Sequence, residues 1–445
     1  MSIVPLVLFA ALAAAPAAER DPTVLVAKLS SAEPAERAKA AESLKALGRG
    51  ALPALQKAMN AADTEPGKRA LALWETIQRD LMTRPSLVWL VGQNRRIADV
   101  VEDLETQTGL TLRFQGSQEG KVALREPAPV SLWTALERLG LKGIYLHDKG
   151  IGKFPELNFR EDGGWAFTST AGPFRVSLMG LHLHHDRQLI RGPWERIDRF
   201  GERIGVPSDD LKGDMVTFFG GLEVMVEPRM WFNQEAPARL TEASDDLGQS
   251  LVPETAGVET RLSDDAHFSF YGGSGVTQMR TEFRLRPTKN AGRVAQLRGV
   301  VPVMLHLRRP DPALIIPLKG AAGKTFRCDD AEFTIDSVDD SPTATNVAMT
   351  VRLNVDKAEL PDHADGELIT TRLRVMGAHQ LQLTDAGGTV LAYSTGSGGG
   401  GASAPSVFHW NIGTFQNGHA SHLRYYSMLR VRSEAAFDFR NVPLP

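Results

Sequence analysis

The sequence predicts an α+β multidomain chain: a short helical repeat stub, a small split-βαβ domain, then two antiparallel β-sandwich domains. Three observations carry this. At 445 residues the length suits roughly three or four domains. Up to Arg84 apolar residues recur at helical spacing between Pro and Gly breaks, and from Ser86 to His147 strand-like runs alternate with two helical stripes. Beyond Pro155 many short strand-like runs follow one another, separated by Gly, Pro, Asp and Asn.

Met1 to Ala18 carries no charged side chain, and Val4 to Leu12 is an apolar run with a single proline. Ala15-Pro16-Ala17 has the A-x-A pattern a signal peptidase cuts, and charge resumes at Glu19-Arg20. The stretch is shorter than the roughly 20 residues a bilayer requires. Residues 1–19 therefore read as a cleaved secretory signal, and the mature chain is expected to be exported with no transmembrane segment. In residues 20–84, Asp21-Pro22 forms an N-cap and first-turn proline, followed by Val24, Leu25, Ala27 and Leu29. Arg37, Ala40, Ala41, Leu44 and Leu47 form a second stripe that Gly48 closes. Ala51 to Met59 and Lys68 to Asp80 are the third and fourth helices. The stretch Ala38 to Gly48 resembles HEAT-type helical repeats, over fewer than the three repeats a solenoid usually needs.

Residues 85–150 change pattern. Leu87 to Val91 is a strand-like run, and Ile97, Val100, Val101 and Leu104 lie on one helix face that Gly109 ends. Leu110 to Phe114 and Val122 to Leu124 are strands. Val130, Leu132, Trp133, Leu136 and Leu139 form a second helical stripe behind the candidate N-cap Ser131, and Ile144 to Leu146 is a final strand. The order is β-α-β-β-α-β. Ile97 to Leu112, a strand, then Pro129 to Leu139 resembles the short N-terminal domain of secretins and TonB-dependent receptors (the STN domain). That resemblance implies a bacterial envelope setting and contacts with other proteins rather than catalysis.

The β-rich remainder divides into sandwiches over 155–310 and 311–445, with the boundary near Arg308 to Pro312. Trp194, Ile197, Phe200 and Ile204 suggest a helical insertion near 186–215 in the first sandwich, and the Gly/Ser-rich Thr395 to Ala404 reads as a flexible hairpin loop. The order of modules, with Gly172 to Val176, Val226 to Arg229, Asp245 to Gly248 and the closing Phe437 to Pro445, resembles large exported proteins of planctomycete-type bacteria. This likeness implies architecture and no particular activity.

Hydrophobic residues make up 42% of the chain, enough for each domain to bury a core, and 50 basic residues against 53 acidic ones leave a net charge of −3. That balance excludes a general nucleic-acid surface and a polybasic membrane patch. Cys328 is the single cysteine, so no internal disulfide forms and no local base marks it as a nucleophile.

Chemistry has few places to sit. His182, His184 and Asp186, with His185 between them, are the best metal candidate. On a strand His182 and His184 share a face about 7 Å apart, a spacing that suits zinc only with further ligands. Asp245-Asp246-Leu247-Gly248 and Asp336 to Asp340 offer oxygens to calcium, yet Asp and Gly are also what turns require. Glu227 and Arg229 fall on one strand face beside Glu223 and read as an ion pair rather than a glycosidase acid/base pair. Gly272-Gly273-Ser274-Gly275 is no nucleophile elbow. His409, Trp410, Tyr425 and Tyr426 offer a carbohydrate or peptide groove, though aromatics on β-strands more often fill a core. With no catalytic residue or cofactor-binding motif legible, the expected function is recognition or scaffolding of an envelope protein or cell-surface polymer, protein or glycan. A hydrolase with a site between the sandwiches and a zinc- or calcium-binding protein using the histidine cluster are the rivals.

Overall fold

The computed structural model describes residues 21–59, 64–114, 120–141, 143–147, 156–160, 164–186, 195–197, 203–205, 215–253, 277–288, 290–341, 344–353, 380–399, 407–414 and 418–445. A helical stretch is followed by several small sheets and then by larger antiparallel sheets. The chain divides into two compact units, Met1–Arg84 and Pro85–Pro445.

The first unit holds α1 (Pro22–Lys28), α2 (Pro34–Leu47), α3 (Leu52–Met59) and α4 (Glu65–Thr83). Asp21 accepts from Thr23 N at 2.8 Å and Thr64 from Gly67 N at 3.2 Å, so side-chain oxygens satisfy N-terminal amides of α1 and α4. Leu25, Leu29, Leu44, Leu55, Leu73 and Ile77 make one core with Ala40, Ala51 and Ala70.

The second unit begins with a small α/β module. Leu87–Val88 pairs with Val130–Ser131, and Val91–Arg96 pairs with Lys121–Arg125. Helices α5 (Ile97–Thr108) and α6 (Leu132–Arg138) follow the expected stripes, with Gly109 in the left-handed region at the end of α5 and Ser131 capping α6. Val100, Leu104, Leu112, Trp133 and Leu136 are all in the core. Glu156–Arg160, expected in the first sandwich, instead joins this module: it runs parallel to Leu112–Phe114 and antiparallel to Gly143–His147. Leu157 is drawn there because it is fully buried in the module's core.

Two larger sheets follow. The first has the order Gln278–Leu285, Met215–Val226, Phe174–Asp186, Phe167–Ala171. In the second, Trp231–Gln234 and Arg239–Asp245 share one edge of Arg293–Arg308, while Met428–Pro443 takes its other edge along the whole length. The C-terminal strand was expected with residues 311–445 but completes this sheet. Its buried Ala435, Phe437, Phe439 and Val442 alternate with exposed residues, so one face faces inward. Phe174 meets Phe232 edge-on at 6.2 Å, and Phe283 lies 6.1 Å from Phe437, which joins the two sheets through aromatic contacts.

A glycine makes room for each of the second pair of rings. Gly220 stands opposite Phe283 and Gly299 opposite Phe437. A Cβ at Gly299 would collide with the Phe437 ring and with the Arg239 carbonyl, which is backbone and cannot swing aside. Gly299→Ala is therefore expected to cost about 1–3 kcal/mol in denaturant melts, the usual penalty of overpacking. An unchanged midpoint would show that the strands part easily.

Within the stretch expected as a helical insertion, Glu195–Ile197 pairs with Arg203–Gly205 as a short antiparallel ladder, with Arg196 opposite Ile204. Trp194 and Phe200 lie outside the described residues. Periodicity alone does not separate helix from strand in apolar runs this short.

The last two sheets share one core. Leu314–Pro317, His422–Tyr425, Leu381–Thr384 and Val390–Leu391 form one, and Thr325–Arg327, Ala331–Asp340, Thr345–Leu353, Val407–Thr414 and Tyr393–Gly399 the other. Phe333 and Tyr425 link them with ring centroids 4.9 Å apart. Thr395 to Gly399, expected in a loop, continues the edge strand because Val407–Thr414 supplies a ladder partner residue by residue.

Candidate functional site

The most densely furnished polar cluster lies where α6 meets the first large sheet. Alternation builds it. Phe174, Val176 and Leu178 turn to the buried apolar side, so Arg175 and Ser177 turn to the other. Register puts Met225 and Gln278 level with Arg175, and Glu223 and Arg280 level with Ser177. The α/β module sits on this polar face. Trp133 Nε1 donates to the Pro173 carbonyl at 2.8 Å, Thr168 Oγ1 donates to Glu137 at 3.0 Å, and Met225 enters the module's core. Arg175, buried, lies 3.9 Å from Glu137. Burial lowers the affinity of its guanidinium for a proton, while Glu137 and Glu223 pull the other way.

Both buried carboxylates of the cluster are occupied. Glu223 accepts from Trp165 Nε1 at 2.9 Å and Gln278 Nε2 at 2.8 Å, with Arg280 at 3.6 Å. Glu227, fully buried, accepts from the Ser86 amide at 2.8 Å, the Ser86 hydroxyl at 2.6 Å and Arg229 Nε at 3.0 Å. Glu227 and Arg229 form the expected ion pair, but across a turn beyond the strand end at Val226 rather than by strand alternation. Ser86 starts the α/β module, so Glu227 ties the end of the sheet strand to the beginning of that module. A general acid or nucleophile needs an oxygen free to meet substrate. Here each oxygen holds a neighbour in place.

The chain matches no protein family model, no curated protein and no solved structure. Function therefore rests on the residues themselves.

The metal candidate is only partly in view. Backbone register sets His182, His184 and Asp186 at alternate positions of one strand, opposite Phe219, Thr217 and Met215. The exposed His182 ring stacks on Phe219 with centroids 5.2 Å apart. The side chains of His184, His185 and Asp186 lie outside the described residues. Among the described residues no group of three His, Cys, Asp or Glu side chains is placed to hold a metal ion.

Of the two acidic stretches only Asp245 to Gly248 forms a turn; Asp336 to Asp340, expected as a turn, lies in the strand Ala331–Asp340. Asp245 Oδ1 accepts from Leu247 N at 3.0 Å and Gln249 N at 2.7 Å. Asp336 accepts from Thr350, and Asp340 binds Thr345 and His419, whose bonds hold its carboxyl below the usual range. The aromatics take the core alternative and not the groove: Trp410, Tyr425 and Tyr426 are buried, and of the four only His409 is exposed. Tyr425 donates to Asp330, and Tyr426 donates to Gln382 with Arg308 over its ring. Gly272 to Gly275 lies outside the described residues.

Cys328 is half-buried, with its sulfur 3.4 Å from Asp330. Burial pushes the thiol up, the Asp330 carboxylate adds to it, and the result is about 11. At pH 8 the thiolate fraction is then on the order of 100-fold below that of an ordinary thiol. Iodoacetamide is expected to label Cys328 slowly at pH 8 and faster towards pH 11. Labelling at pH 8 as fast as that of a free thiol would contradict a packed side chain.

One surface feature escaped the sequence reading. Val88 and Leu90 are fully buried, while Leu87, Trp89 and Val91 are 62%, 54% and 47% exposed. A continuous apolar run reads as a strand covered on both faces, and here one face is open.

Proposed function

We propose that the chain is an exported, non-catalytic envelope protein that recognises or scaffolds a protein or glycan. In this reading residues 1–19 are its export signal, the first unit is a HEAT-like stub, the α/β module resembles the short N-terminal domain, and the large sheets form two β-sandwiches. The observation that carries the reading is the use of Glu223 and Glu227. The two buried carboxylates best suited to chemistry are spent on structure: Glu227 on Arg229 and on Ser86, which ties the α/β module to the sheet, and Glu223 on Trp165 and Gln278 beside it. A rigid joint presents surfaces in a constant relation and turns nothing over. No helix among the described residues is long and apolar enough to cross a membrane.

The test pairs a pull-down from envelope extract with a screen against glycosidase, esterase and peptidase substrates, with and without zinc and calcium. The reading expects a specific retained species and no turnover. Turnover that disappears in Glu223→Gln, or in a His182→Ala, His184→Ala double variant, would replace it with an enzyme.

A further inference from the structure

On the outer face of the smaller of the last two sheets, two donors are buried with nothing to bind. Leu381, Leu383, Leu423 and Tyr425 turn to the core, so alternation turns Thr384, His422 and Arg424 away from it. Thr384 is nonetheless fully buried, and its Oγ1 has no hydrogen-bond partner among the described residues. Arg424 is half-buried, and its Nε, out of contact with solvent, has none either. A buried donor without an acceptor costs free energy that a water or a ligand recovers.

The two donors belong together. Register sets Thr384 opposite His422 and Gln382 opposite Arg424, so Thr384 and Arg424 are diagonal neighbours on adjacent strands. Diagonal neighbours lie about 7–8 Å apart, within reach of a long side chain. Thr281 Oγ1, also orphaned, stands opposite Leu222 instead. No acidic side chain neutralises the arginine, which is in no ion pair among the described residues. Asp385, next to Thr384 in the chain, is turned onto its own hairpin and accepts from Thr389 N at 2.8 Å. Gln382 Oε1 is taken by the Tyr426 hydroxyl at 2.8 Å. The place therefore offers a cation and a hydroxyl, with the side-chain acceptors beside them already engaged.

We infer that Arg424 and Thr384 form a binding site for a carboxylate group. The edge of a guanidinium is a fork that matches the two oxygens of a carboxylate, and the hydroxyl of Thr384 adds a third donor. One guanidinium balances one carboxylate, whereas a phosphate group, at about −1.5 to −2, calls for further cations. Ile315, half exposed, stands opposite Arg424 on its other side. It gives the carbon body of a ligand something to rest on, as in a uronic acid or an acidic peptide side chain. Thr384 Oγ1 is out of contact with solvent, so a ligand has to shift neighbouring side chains to reach it. The site is separate from the Glu227 joint and depends on neither the export nor the envelope reading.

Labelling of the full chain with the arginine reagent phenylglyoxal, read at Arg424 by peptide mass spectrometry, tests it. Glucuronate and N-acetylaspartate are the carboxylate probes, glucose the neutral control and inorganic phosphate the rival anion, each up to about 20 mM, where a site with a Kd of about 1 mM fills. At least one carboxylate is expected to slow labelling of Arg424 and not of the exposed Arg284, with glucose inert; which of the two acts at the lower concentration tells an acidic sugar from an acidic side chain. Thr384→Val deletes an orphaned hydroxyl at nearly constant volume and is expected to fold. It should raise the concentration for half protection about tenfold, the worth of a hydrogen bond to a charged group. The inference is overturned by an Arg424 that does not label in the free chain, by labelling that neither carboxylate slows, or by equal protection of Arg284. Protection unchanged in Thr384→Val, or phosphate acting at a lower concentration than both carboxylates, overturns it as well.

Discussion

Trp133→Ala is expected to lower the stability of the α/β module by about 3–5 kcal/mol, the range for removing a fully buried large aromatic. Trp133 is completely buried at the start of α6, in a core with Leu104, Leu112, Leu136 and Met225. Its ring fills the space between the helix and the sheet, and its Nε1 donates to the Pro173 carbonyl. Alanine leaves a cavity and removes one of the two donors to that carbonyl, which keeps the Glu227 amide at 3.1 Å. Trp133→Phe keeps most of the volume and loses the bond. It is expected to fall between the wild type and alanine in urea melts followed by far-ultraviolet circular dichroism. An alanine variant within about 0.5 kcal/mol of wild type would show the ring to be peripheral.

Glu227→Ala is expected to cost about 2–4 kcal/mol by a different route, the penalty of two donors left unsatisfied. The Ser86 amide and hydroxyl lose their acceptor, while Arg229, 27% exposed, loses one contact. Glu227→Gln retains one acceptor oxygen and is expected to recover part of the loss. The expected order in denaturant melts is wild type, glutamine, alanine. A glutamine variant as stable as wild type would show that the charge is dispensable.

How much of this was legible beforehand follows the range of the interactions. Helix positions were readable because caps and stripes are local: Asp21, Gly109 and Ser131 stand where the pattern puts them, and Val100, Leu104, Trp133 and Leu136 are in the core. Phe167–Ala171, Trp231–Gln234 and Arg239–Asp245 were missed as strands. Arg-Leu-Thr-Glu-Ala-Ser-Asp carries little apolar alternation, and pairing with Arg293–Arg308 makes it a strand; Trp231–Gln234 is buried but only four residues long, too short for alternation to mark it. The joint was illegible for the same reason on a larger scale. Ser86 and Glu227 are 141 residues apart, and no spacing rule connects them. Arg293–Arg308 and Met428–Pro443 meet across a comparable interval. The open face at Trp89 was hidden because all five residues from Leu87 to Val91 are apolar, so no alternation told inside from outside.

The central claim is that Glu227 and its neighbours form a fixed joint within the Pro85–Pro445 unit. Hydrogen exchange read by mass spectrometry on Glu227→Ala tests it most directly, because local opening raises exchange wherever support is lost. A joint predicts faster exchange on both sides together: in Ser86–Val91 and α6 of the α/β module, and in Phe167–Asp186 of the sheet. Faster exchange confined to the few residues around Glu227, with α6 and Phe167–Asp186 as protected as in the wild type, would contradict it.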